Sequence, residues 1–149
     1  MRRLVAGALL AGLSVATSAW AQPQATDEEL RAAYCLPVAE FFVEVARSAV
    51  AAPVLAAKAA HNRLALERWE ADQRRLTLYL APKMMDQAKI VALGLAMKSG
   101  EDDVAALQHN NDCLGLAGDA ARECGDNALK ASGLGERLGR CTDLSWLPL

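Results

Sequence analysis

The sequence predicts an all-α protein, a small up-and-down helical bundle of about four main helices braced by disulfides. Three observations predict it. Apolar residues recur at steps of three and four over four stretches, residues 27–51, 54–81, 83–99 and 102–123. No run alternates apolar and polar residues as a half-buried strand would. Four cysteines, Cys35, Cys113, Cys124 and Cys141, follow an N-terminus of the export type, where two disulfides are the expectation.

That N-terminus comes first in the chain. Met1-Arg2-Arg3 is basic, Leu4–Ala16 carries no charge, and Ala19-Trp20-Ala21 offers small residues at the two positions a signal peptidase reads. Residues 1–21 therefore read as a secretory signal peptide cleaved near Ala21. The apolar run is too short for a bilayer core, which needs roughly 20 residues. Residues 22–149 are expected to form a single helical domain, periplasmic or secreted. It would carry 14 basic against 18 acidic residues, a net −4. That is no footprint for nucleic acid. The charge is segmented, with −4 over 27–44, +5 over 47–98 and −6 over 101–126. Acidic helices packed beside a basic one explain this, as does a basic face meeting an acidic partner.

The first helix opens at Thr26-Asp27-Glu28-Glu29. Thr26 can cap the first turn while Glu29 reaches back, three residues on. Leu30, Tyr34, Val38, Phe41, Val45 and Ala49 form its stripe, and Pro37 predicts a kink or restart. Glu40 and Glu44 share a face, but no histidine or third carboxylate joins them, so they read as solvated.

After Ala51-Ala52-Pro53, the stretch 54–81 contains no Gly or Pro. Leu55, Ala59, Asn62, Leu66, Trp69, Gln73, Leu76 and Leu80 line one seam, so this helix is expected to be the central pillar. Asn62 and Gln73 interrupt the seam. They are a candidate polar site, or two register-setting amides.

Pro82 suits the start of a third helix, with Met84, Ala88, Val91 and Leu95 on its core face. Residues 90–97 are apolar at every position, which predicts the most buried helix. Its methionines read as gap fillers rather than a copper box. Ser99-Gly100 would end it, and Glu101-Asp102-Asp103 would open the fourth helix at its positive end. Gly115 and Gly118 weaken that fourth helix. Gly133, Gly135 and Gly139 punctuate a short irregular segment, and the chain closes on the apolar Leu144-Ser145-Trp146-Leu147-Pro148-Leu149. This tail is expected to fold over the bundle. The alternative is a docking tail carried by Trp146, Leu147 and Leu149.

Dead reckoning along such a bundle, at about 1.5 Å per residue, places Cys35 ~25 Å below the Pro53 turn, Cys113 ~33 Å below and Cys124 ~50 Å below. The preferred pairing is therefore Cys35–Cys113 with Cys124–Cys141. The alternative is Cys113–Cys124 with Cys35–Cys141, which requires a break at Gly115 or Gly118.

The chain lacks Cys-x-x-Cys, Cys-x-x-Cys-His, Glu-x-x-His, His-Glu-x-x-His and Gly-x-Ser-x-Gly. Redox, haem, di-iron, zinc and hydrolase signatures are thus missing. No catalytic residue, metal site or cofactor is assigned. His109 and Asp112, three apart on a helix face, are the best acid–base or metal pair, but two ligands do not make a closed site. Two roles fit the sequence. One is a non-catalytic binding or accessory protein that contacts a protein partner in the bacterial envelope. The other is a small-ligand or metal-binding helical bundle of the periplasm.

Overall fold

A computed structural model of the chain describes residues 24–53, 55–108 and 118–148, without the side chains of residues 118, 121 and 122. The expected signal segment 1–21, His109, Asp112, Cys113 and Leu149 lie outside the described residues. The fold is an all-α bundle. Its elements are α1 (Asp27–Ala51), α2 (Ala56–Leu80), α3 (Gln87–Gln108), α4 (Gly118–Ala131) and α5 (Leu134–Gly139).

The first helix begins as its sequence predicts. Thr26 Oγ1 accepts from the Glu29 N–H at 3.2 Å, and Glu29 Oε2 accepts from the Thr26 N–H at 2.9 Å. Two orphan donors of the helix end are satisfied by this reciprocal box. Pro37 neither ends nor restarts the helix, since α1 runs through it for 25 residues.

The central element is α1, not α2. Both α2 and α3 pack along it. Ala32, Ala33, Cys35, Val38, Ala39 and Val43 are all nearly inaccessible. Small side chains around much of the helix let a neighbour approach on either side. By contrast, α2 buries only Asn62, Leu76 and Leu80, while Leu55, Leu64 and Leu78 stand in solvent. Phe42 of α1 stacks on Trp69 of α2 with ring centroids 4.7 Å apart.

The third helix departs most from expectation. It starts at Gln87, where Asp86 Oδ1 caps the Ala88 N–H at 3.0 Å. It then continues through Ser99-Gly100 to Gln108. Gly100 is buried because it marks the closest approach of α3 to α1. A Cβ there would collide with the Tyr34 carbonyl oxygen and reach within 2.9 Å of Pro37 Cγ. The span 102–123 is therefore not one helix, since residues 102–108 belong to α3 and 118–123 to α4. The acidic run 101–103 sits mid-helix, where Lys98 pairs with Glu101 and Asp102.

Gly133 adopts a left-handed conformation, φ 64°, which turns the chain between α4 and α5. The core then closes with Leu134, Leu138, Cys141, Leu144 and Leu147 packed with α1 residues, Leu76, Leu80 and Leu93.

Cys35 is bonded to Cys141, with Cα atoms 5.3 Å apart. This corrects the preferred pairing of Cys35 with Cys113 and of Cys141 with Cys124. The preferred pairing rests on a turn at Gly100, with Cys141 near Cys124 at the end of a fourth helix. Instead α3 runs on, and the tail crosses α1 at the height of Cys35. Cys124 is disulfide-bonded as well.

Candidate functional site

Of the candidate polar residues, His109 and Asp112 lie outside the described residues, and Asn62 and Gln73 do not come together. Asn62 is buried, and its Nδ2 donates to the Ala49 carbonyl at 2.8 Å. Ala49 lies in the last turn of α1, where carbonyls lack intrahelical partners, so Asn62 closes a helix end. Gln73 stands three turns further along α2, in a shallow surface depression shared with Glu44 and Arg47. The two amides serve different neighbours and do not converge.

The tail is part of the core through Leu147. Leu144 and Leu147 are buried, and Trp146 is half-buried with the Arg31 guanidinium 4.4 Å from its ring centroid. Arginines hold the irregular backbone of this segment. Arg31 donates to the Arg140 carbonyl at 2.6 Å and Arg68 donates to the Thr142 carbonyl. Arg75 donates to the carbonyls of Leu144 at 3.2 Å and Leu147 at 3.4 Å. Part of the basic character of α2 is thus spent on main-chain oxygens that no helix satisfies.

Two charged networks tie α3 to its neighbours. Lys89 Nζ donates to both Glu29 oxygens at 2.9 Å, and both side chains are largely buried. Burial alone would raise the Glu29 pKa. Hydrogen bonds from Lys89 and the Thr26 backbone, with the Lys89 and Lys83 charges, outweigh it and hold the carboxyl below its ordinary value. Asp103 receives Arg137 Nε at 2.7 Å and Nη2 at 2.9 Å, and Tyr34 Oη at 2.7 Å. The Arg137 hydrogen bond, helped by Tyr34, lowers the Asp103 carboxyl against the effect of burial. Burial and the Asp103 hydrogen bond push the Tyr34 hydroxyl well above the ordinary phenol range.

The candidate site is the outward face of α3. Leu93, Ala96, Met97, Val104 and Leu107 face the core with Gly100. This leaves Val91 at 70% exposure, Leu95 at 68%, Ile90 at 43% and Met85, in the preceding turn, at 85%. Ala88 and Gly94 share that exposure, and a Cβ on Gly94 would meet nothing within 4 Å. The residues expected on the core face, Ala88, Val91 and Leu95, are the exposed ones. Eight consecutive apolar residues carry no periodic signal, so the sequence could not orient this helix; the Gly100 contact does. Between Asp86 and Lys98 the sole charge is Lys89, and it is turned to Glu29.

Among the described residues, no group of three His, Cys, Asp or Glu side chains is placed to hold a metal ion. No described helix is long and apolar enough to cross a membrane. No protein-family model, no curated protein and no solved structure matches the chain.

Proposed function

We propose that the protein is an exported, non-catalytic accessory protein that acts through contact with a protein partner, using the outward face of α3. The observation that carries this reading is the solvent exposure of Val91, Leu95 and Ile90 on a helix whose other side is packed, with Met85 exposed in the turn before it. Interface centres are depleted in charge, and this row has none of its own. Covering a side chain of the Val or Leu class contributes roughly 1.5–3 kcal/mol. Export is supported by the leader-type N-terminus and by the Cys35–Cys141 disulfide, which an oxidising compartment sustains.

The test is site-specific photo-crosslinking in cells exporting the full chain. A crosslinker replacing Val91 is expected to give a discrete adduct, lost on Leu95→Glu. A crosslinker replacing Arg74, exposed on α2, should give none. Absence of an adduct from position 91, or the same adducts from position 74, overturns the reading. An adduct of twice the chain mass would make the protein self-associating instead.

A further inference from the structure

We propose that the cavity between α1, α3 and α5 binds a small monocarboxylate with an apolar body. This goes beyond protein–protein contact and does not depend on it. The cavity holds about 680 Å³, a volume suited to a small ligand. Leu30 and Tyr34 of α1 and Ala96 of α3 supply its apolar lining, with Ser99 beside them. Arg31, Arg137 and Arg140 supply its cationic side.

The three arginines are not equivalent. Arg137 is neutralised by Asp103 through two hydrogen bonds, and Arg140 pairs with Glu136 at 3.2 Å. Arg31 has no carboxylate within ion-pair distance among the described residues. Of the five N–H donors of a guanidinium, Arg31 uses one, on Nη2, for the Arg140 carbonyl. Its ring-facing side lies on Trp146, and its Nε is buried without a hydrogen-bond partner among the described residues. Two contacts therefore fix the guanidinium in place, and the nearby Asp143 carboxylate feels its charge without pairing with it. Such a preorganised arginine is suited to a planar carboxylate.

The other lining charge is Asp27, one turn before Arg31 on the same helix. It balances the Arg31 charge over the cavity as a whole, so that only an anion seated directly on Arg31 is favoured, and it disfavours a dianion. The head group is therefore a single carboxylate at Arg31. The body lies on Leu30, Tyr34 and Ala96, where removal of apolar surface from water supplies the rest of the affinity.

Octanoate is the probe, with 1-octanol as its uncharged counterpart, both titrated into the mature, oxidised chain. Isothermal titration should show saturable octanoate binding. Octanol should bind at least tenfold more weakly. Amide shifts in heteronuclear spectra of the wild type should move at Tyr34, Ala96 and Ser99 and stay unmoved at Leu64 of α2. Arg31→Gln should weaken octanoate at least tenfold, and Ala96→Trp, which fills the cavity, should abolish binding. Thermal melts of both variants establish that the fold survives, and the wild-type shifts decide if it does not. Absence of saturable binding, equal affinity for octanol, or shifts elsewhere than the cavity overturns the proposal. So does an unchanged affinity in a folded Arg31→Gln variant.

Discussion

Gly100 of α3 lies against the backbone carbonyl of Tyr34, so close that a Cβ would not fit between the two helices. A glycine in mid-helix costs about 1 kcal/mol relative to alanine, and here that cost is offset by close packing. Gly94 is its counterpart six residues earlier, with open space where a Cβ would go. Gly100→Ala is expected to destabilise the protein by about 1–3 kcal/mol through overpacking. Gly94→Ala should stabilise it by about 0.5–1 kcal/mol. Urea unfolding of both variants checks the pair. A neutral Gly100→Ala would mean that α3 does not approach α1 this closely.

The Cys35–Cys141 bond closes a loop with a sequence separation of 106. Constraining so long a loop in the unfolded chain is worth roughly 4–5 kcal/mol in the chain-entropy account. Cys35→Ser with Cys141→Ser should therefore lower stability by several kcal/mol. Non-reducing peptide maps should contain the Cys35–Cys141 linkage. A map joining Cys35 to Cys113 or to Cys124 contradicts the fold.

Lys89 and Glu29 form a buried ion pair, and removing one partner strands the other. Lys89→Met should cost about 3–5 kcal/mol at neutral pH. The Glu29 pKa is held below its ordinary value of 4.5 in the folded state. Its contribution to stability is thus complete above the unfolded pKa and is lost as pH falls through the folded one. The Asp103 carboxyl, lowered chiefly by Arg137, acts in the same direction. Asp72, raised by burial, acts oppositely. The difference between wild type and Lys89→Met should therefore shrink as unfolding is measured at successively lower pH across the carboxylate range. A constant difference would show that Glu29 gains nothing from Lys89.

Arg75 reaches the carbonyls of Leu144 and Leu147 from α2. Hydrogen bonds involving a charged group contribute about 1.5–3 kcal/mol. Arg75→Met should loosen the tail before it loosens the helices. The expected signs are a red-shift in Trp146 emission, measured in a Trp69→Phe background, and faster proteolysis after residue 142. Unchanged protection of the tail would assign its anchoring to Leu144 and Leu147 alone.

What the sequence disclosed follows a physical line. Capping and periodicity are local, so Thr26-x-x-Glu29 and the long helices were readable. The central position of α1 was not, because Ala32, Ala33 and Ala39 are quiet in a pattern that weights large apolar residues. The outward face of α3 was hidden by apolar residues at every position from 90 to 97. Gly100 read as a terminator because close helix approach and helix ending call for the same residue. The cavity was also out of reach, since Arg31 and Arg140 lie more than a hundred residues apart and only the tail's return brings them together.

That return has a temporal side. The helix at the centre of the bundle is synthesised before every surface that covers it. Cys35 waits for a partner made more than a hundred residues later, and the contacts that complete the core are among the longest-range in the chain. The side of α1 that Leu134, Leu138, Cys141, Leu144 and Leu147 cover thus has no partner until the tail is made. A chain cut short before residue 141 would keep α2 and α3 against α1 yet leave Cys35 without Cys141 and that side of the core uncovered.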